Sequence, residues 1–171
     1  MDQNLRANAD AIISASIQAV QPDDAVSRAL AGQHFPGRIL LVAAGKAAWQ
    51  MAKTACQICT FKAGIVITKY NHCQGKIPGI DLFEAGHPIP DENSFSATHA
   101  VLELTENLSA TDTVVFLLSG GGSALFESPL VSPDELADIT RQLLACGADI
   151  VEINTIRKRL SRVKGGRFAQ H

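Results

Sequence analysis

The sequence predicts an α/β fold, a Rossmann-like parallel sheet flanked by helices, and three observations carry that expectation. Short aliphatic runs at residues 39–43, 63–68, 81–85 and 113–118 alternate with stretches of helical periodicity, the pattern of βαβ units around a parallel sheet. Two of the runs empty into loops of small residues, Ala43–Ala48 and Ser119–Ser123, which parallel sheets place where ligands bind. The chain has 171 residues, 46% of them hydrophobic, which suits one ordinary globular domain.

The elements follow in order. Leu5, Ala9, Ile12, Ile13, Ser16 and Val20 recur at helical spacing and form an amphipathic opening helix. Pro22-Asp23-Asp24 punctuates the chain, and a short helix runs to about Leu30 before Gly32. Ile39 to Ala43 is the first buried strand. Lys46 to about Cys59 reads as a helix, and Ala63 to Thr68 as the second strand. Tyr70 to Gly79 is polar and turn-like, and Asp81 to Ala85 is a short third strand. Gly86-His87-Pro88-Ile89-Pro90-Asp91 cannot be regular structure, because its two prolines lie two apart. A helix from about Ser94 to Asn107 follows, with Asp91 as a candidate cap. Thr113 to Leu118 is the clearest strand and leads into Ser119-Gly120-Gly121-Gly122-Ser123. Ser132-Pro133-Asp134-Glu135 combines a Ser cap, a first-turn Pro and a Glu three residues after the cap. That helix ends near Gly147. Asp149, with Glu152, caps a last one carrying Ile150, Ile153, Ile156 and Leu160, and Gly165-Gly166 breaks it.

Charged residues make up 19% of the chain and net −2, a balance that asks for neither nucleic acid nor an anionic membrane. The apolar runs are too short to cross a bilayer, and Met1-Asp2-Gln3-Asn4 has no basic-then-apolar secretory pattern; a cytoplasmic protein is expected. Cys56, Cys59, Cys73 and Cys146 match no disulfide scaffold. Cys56 and Cys59, with His72 and Cys73, invite a zinc reading. A reactive pair, however, needs a helix N-terminus, and this one ends a helix; small core residues are the better reading, and no metal site is expected.

The triple-glycine loop is the first candidate site. Glycines after a buried strand let the backbone turn sharply and approach a ligand; their N–H groups can form an anion nest, and a following helix would add positive potential. Ser119 and Ser123 add hydroxyl donors. The alternative is a flexible strand-to-helix turn. An acyl-transfer serine is disfavoured, because Gly121-Gly122-Ser123-Ala124-Leu125 lacks the closing glycine of a nucleophile elbow. Lys46 follows the first strand and could reach a phosphate as a mobile charge; the alternative is a solvated lysine in a first helical turn, where the helix dipole disfavours it. Ala43-Ala44-Gly45-Lys46-Ala47-Ala48 is neither a Walker A motif nor a dinucleotide fingerprint. His87 sits in the Pro-flanked loop, either as a base or substrate-orienting group or as a loop histidine anchored by a backbone hydrogen bond. Asn154 and Arg157 are three apart on one helix, with Lys164 just beyond. They could hold a carboxylate or phosphoryl group or form a solvated basic face. Arg157, Lys158, Arg159, Arg162, Lys164 and Arg167 are six of the chain's 15 basic residues, but Phe168 is the one aromatic there, so nucleic-acid binding is disfavoured.

Several blocks in order resemble the glycerate 2-kinases that carry a C-terminal MOFRL domain, a family whose relatives are often labelled hydroxypyruvate reductases. The blocks are Ala44-Gly45-Lys46-Ala47-Ala48; Gly86-His87-Pro88-Ile89-Pro90-Asp91; Leu118-Ser119-Gly120-Gly121-Gly122-Ser123-Ala124-Leu125; and Gly147-Ala148-Asp149-Ile150 through Glu152-Ile153-Asn154, Arg157-Lys158 and Lys164-Gly165-Gly166-Arg167. The resemblance covers essentially the whole chain, 1–171. It implies ATP-dependent phosphorylation of D-glycerate to 2-phosphoglycerate, with Mg2+ as cofactor. Lys46 maps to the catalytic lysine and Ser119–Ser123 to the phosphate- or substrate-contacting loop, while Asn154, Arg157 and Lys164 match residues of the same cleft. Family members continue past Lys-Gly-Gly-Arg into the rest of this domain and the MOFRL domain. The resemblance therefore implies an incomplete N-terminal domain, a truncated product inactive or nearly so alone. Two other readings stand beside the kinase: an NAD(P)H-dependent hydroxypyruvate reductase and a non-enzymatic remnant. Oligomeric association is left open.

Overall fold

The computed structural model describes residues 3–171. The elements are α1 (Gln3–Ala19), α2 (Pro22–Leu30), β1 (Ile39–Ala44), α3 (Ala48–Ile58), β2 (Ala63–Lys69), β3 (Ile80–Ala85), α4 (Glu92–Leu104), β4 (Thr113–Leu118), α5 (Gly122–Leu125), α6 (Pro133–Ala145), α7 (Ile150–Arg159) and α8 (Arg167–Gln170). The expected α/β class holds. The strands form one parallel sheet in the order β3-β2-β1-β4.

The sheet separates two cores, and strand alternation divides its side chains between them. Leu41, Ala43 and Val66 pack with Val26, Leu30, Trp49 and Ala52 of α2 and α3 on one face. Val42, Ala44, Ile65 and Ile67 pack with Ala97 and Val101 of α4, and with Leu125, Phe126 and Val163, on the other. Strands β1 and β2 are therefore buried on both sides and read as continuous aliphatic runs. Each fully buried Val, Leu or Ile there contributes about 1.5–3 kcal/mol. Strand β4 lies at the sheet edge and leaves Phe116 and Leu118 partly exposed.

The predicted caps are present. Asp91, Ser132 and Asp149 each accept from the third helical amide, and Ser94, Glu135 and Glu152 return a side-chain contact to the cap amide. Helices α6 and α7 form a hairpin whose base is tied by Leu130 N–H to the Leu160 carbonyl (2.8 Å) and Arg162 N–H to the Ser128 carbonyl (2.8 Å).

The structure adds detail at three places. Helix α3 starts at Ala48 rather than Lys46, because residues 45–47 cross toward the β4 loop and give the amides of Lys46 and Ala47 to it. The helix that follows the glycine loop is the single turn α5, so a helix dipole contributes little there. The opening helix forms as α1, but its apolar residues Leu5, Ile12, Ile13, Ile17 and Val20 are exposed. Among the described residues no helix is long and apolar enough to cross a membrane.

Candidate phosphate-binding site

The strand order creates the site. After β1 the chain moves outward to β2 and β3, then returns to place β4 on the other side of β1. The crevice at this reversal, beyond the carboxyl ends of β1 and β4, is where open parallel sheets bind ligands. The two loops singled out in the sequence both leave the sheet there.

Those loops are stapled together. Ser119 N–H donates to the Ala44 carbonyl (3.0 Å), and Lys46 N–H to the Gly120 carbonyl (2.9 Å). The Ala47 amide donates to Ser119 Oγ (3.0 Å). Such close approach requires Gly45, which has φ +130°; a Cβ there would lie 2.1 Å from Ser119 Oγ and 2.7 Å from the Ser119 carbonyl oxygen.

Gly121 is the meeting point. It adopts φ +91°, and a Cβ on it would stand 2.8 Å from His87 Cδ2, 3.0 Å from His87 Nε2 and 3.3 Å from Lys46 Cε. Three loops, after β1, β3 and β4, thus bring Lys46, His87 and the glycine turn together at the carboxyl end of the sheet. The Gly122 amide closes the turn onto the Ser119 carbonyl (3.2 Å). Among the described residues, the amides of Gly120 and Gly121 donate to no protein acceptor. Free amides beside an exposed lysine form an arrangement that attracts an anion.

Two basic residues of the last segment, Arg157 and Lys164, reach the residues that follow the turn. Arg157 Nη2 donates to the Ser123 carbonyl at 3.5 Å, a long contact, and Asn154 is half-buried one turn earlier on α7. Lys164 is not a free cation. It donates to the Phe126 carbonyl (3.1 Å) and forms a buried ion pair with Glu127. Burial pushes the Lys164 ammonium below its ordinary pKa, with Glu127 opposing and Arg157 adding to the shift. Glu127 is buried, its amide donates to Thr98 Oγ1 (3.0 Å), and its Oε1 is left without a partner among the described residues. Sequence reasoning missed Glu127, which has no pattern partner nearer than Lys164.

A second set of polar residues frames the site, of which the sequence marked only Asp91, as a cap. Tyr70 OH donates to Asp91 Oδ2 (2.7 Å), and Asn93 Nδ2 donates to Tyr70 Oη (3.0 Å) and the Glu84 carbonyl (3.1 Å). Burial works against the Asp91 charge, yet hydrogen bonds from Tyr70, the Gly86 amide and Ser94 outweigh it and hold the carboxyl below its ordinary range. Cys56, Cys59 and Cys73 pack against the α2–α3 core, and burial first, then Glu84, pushes the Cys73 thiol up to about 11.

Comparison with known proteins places this architecture. The family model described as Domain of unknown function (DUF4147) matches residues 8–171. The chain is 51% identical over 172 residues to the D-glycerate 2-kinase of Thermotoga maritima, covering 98% of this chain and 41% of that protein. It is 38% identical to the glycerate 2-kinase of Pyrococcus horikoshii, covering 93% and 39%. It is 39% identical to a putative hydroxypyruvate reductase of Agrobacterium vitis, covering 93% and 37%. The crystal structure of the Thermotoga maritima glycerate kinase superposes with a TM-score of 0.90 at 50% identity over 99% of this chain, and a Pyrococcus horikoshii OT3 protein with 0.87 at 36% identity over 99%; each match covers 42% of the solved chain. The chain spans about two-fifths of the length of these relatives. On the match from residue 8 to its last residue, the chain belongs to the DUF4147 family and corresponds to the N-terminal part of glycerate 2-kinases.

Proposed function

We propose that this chain is the phosphate-holding part of a cytoplasmic D-glycerate 2-kinase that transfers the γ-phosphoryl group of ATP to D-glycerate, giving 2-phosphoglycerate. The observation that carries the reading is the convergence of Lys46, His87 and the free Gly120 and Gly121 amides at the strand-order reversal. Phosphoryl transfer demands mainly positioning and neutralisation of charge on the equatorial oxygens. The Gly120 and Gly121 amides would cradle those oxygens, Lys46 would follow the charge as it moves, and His87 would orient the acceptor hydroxyl. The hydroxyls of Ser119 and Ser123 flank the turn; Ser119 Oγ is already engaged by Ala47. Asn154 and Arg157 would approach from α7, and Lys164 would contribute through its pair with Glu127.

ATP phosphates fit this donor set. For magnesium, the described residues offer no group of three or more His, Cys, Asp or Glu side chains that could hold an ion. The reading therefore assigns Mg2+ no ligand here and leaves its contacts to the nucleotide and to the length of the relatives that this chain does not span, the MOFRL domain included. The hydroxypyruvate reductase reading has only the relatives' names behind it, since the single glycine of Ala43–Ala48 makes no dinucleotide fingerprint.

The test is ADP release from glycerate and ATP, measured with this chain joined to the remainder of the Thermotoga relative. Activity that falls by about a hundredfold or more in Lys46→Ala supports the role, and an undiminished rate removes it. Oxidation of NADH on addition of hydroxypyruvate would favour the reductase instead.

A further inference from the structure

Lys46 lies in a link that is neither strand nor helix, so no regular ladder fixes its backbone. Both of its polar backbone groups are nevertheless held. Its amide donates to the Gly120 carbonyl (2.9 Å). Its carbonyl accepts from His72 Nδ1 (3.0 Å) and, at longer range, from Thr68 Oγ1 (3.4 Å). We infer that His72 is a positioning residue for Lys46, setting the direction in which the lysine leaves the chain; this rests on the reading of Lys46 given above.

A carbonyl oxygen can only accept, so His72 Nδ1 must carry a proton. The neutral ring is thereby fixed as the Nδ1–H tautomer, with Nε2 left as the acceptor. His72 is itself held on a short turn. Its amide reaches the Lys69 carbonyl (3.1 Å), with Asn71 at φ +64° between them. The amides of His72 and Cys73 both donate to Glu84 Oε1 (3.0 and 2.9 Å). The Cys73 amide is the main reason the Glu84 carboxyl sits below its ordinary range, against a smaller desolvation effect.

The frame continues to His87. Asn93 joins the Glu84 carbonyl to Tyr70, Tyr70 joins Asp91, and Asp91 takes the Gly86 amide next to His87 while capping α4. One hydrogen-bonded path therefore runs from the Lys46 carbonyl to the loop that carries His87, and both basic groups that face Gly121 hang on it. A lysine on a flexible stem gains precision only if its backbone is fixed, and reacting groups must be held within about 0.5 Å.

The experiment uses the 171-residue chain with pyrophosphate as the probe. Nitrogen-15 spectra, recorded where the ring is neutral, should show His72 with Nδ1 protonated and Nε2 bare. His72→Ala should weaken pyrophosphate binding about tenfold, the worth of one hydrogen bond of about 1.4 kcal/mol. His72→Asn, whose amide nitrogen falls near the place of Nδ1, should recover most of it. The loss should vanish in a Lys46→Met background, because a residue acting through Lys46 has nothing left to act on. An Nε2–H tautomer, additive losses, or His72→Asn as weak as His72→Ala would each overturn the inference. Should the parent chain fail to bind pyrophosphate, the reading of the site falls. The tautomer and the shift of the Lys46 Cε resonance in His72→Ala still decide the positioning role by themselves.

Discussion

Gly121→Ala separates backbone strain from collision at the site. Gly121 has φ 91° and ψ −7°, and Gly166 has φ 87° and ψ −5°. Alanine at either position must adopt the same left-handed conformation, at a cost of about 1–3 kcal/mol. Their surroundings differ. Nothing lies within 4 Å of a Cβ on Gly166, whereas one on Gly121 would stand 2.8 Å from His87 Cδ2 and 3.3 Å from Lys46 Cε. The His87 ring and the lysine stem must therefore both shift by several tenths of an ångström. In thermal denaturation both variants should lose about 5 °C, taking roughly 2–4 °C per kcal/mol for a chain of this size. Calorimetric titration should separate them. Gly166→Ala should bind pyrophosphate like the parent, and Gly121→Ala about tenfold more weakly or worse, because misplacing a positioned cation loses most of its charge-assisted hydrogen bonding. Equal affinity in the two variants would refute the convergence of His87 and Lys46 on the glycine turn as the binding arrangement.

Three further outcomes are expected. Lys164→Met should destabilise the chain by about 3 kcal/mol, because it leaves the Glu127 carboxylate buried and unpaired. Adding Glu127→Leu should return part of that loss, and urea denaturation of the single and double variants measures it. Asp91 has a folded-state pKa held below its ordinary value of 3.8. Its contribution to stability is therefore fully present above that value and lost as pH falls through the lowered one, so Asp91→Asn should flatten the acid limb of a stability–pH curve recorded below about pH 4. The Cys73 thiol, raised to about 11, should react with a disulfide reagent at pH 8 far more slowly than the exposed Cys146, as mass spectrometry of partially labelled chain would show.

What could be read from the sequence is what depends on near neighbours along the chain. The capping boxes at Ser132 and Asp149 are four-residue patterns, and both are present. The strands β1 and β2 are aliphatic because both faces are covered, and that shows in the residues themselves. Lys46 and the glycine loop were legible because a parallel sheet puts strand-to-helix loops at one edge, and the structure brings them together with His87. The contacts that fix the site were not legible. His72 meets the Lys46 carbonyl across 26 residues, and Lys164 meets Glu127 across 37; nothing local marks either partner. His72 stood out only beside Cys73, as a metal-binding suspicion, although its ring serves the backbone of a distant lysine. The extent of α5 is likewise unmarked in the sequence. Phe126, just past the single turn, packs on Phe116 and Phe168, with ring centroids 5.3 and 5.1 Å away, a contact between residues far apart in the chain.

The strand order has a consequence for how the protein acquires its shape. Strands β2 and β3 and helices α3 and α4 all lie along the chain between β1 and β4, so Lys46 and Gly120 meet only when a span of more than seventy residues closes. Closing a loop of that length is slow and depends on long-range contact. Anion binding should consequently appear late in refolding, in step with the arrival of β4, and a phosphate-mimicking reporter would time the final zipping of the sheet.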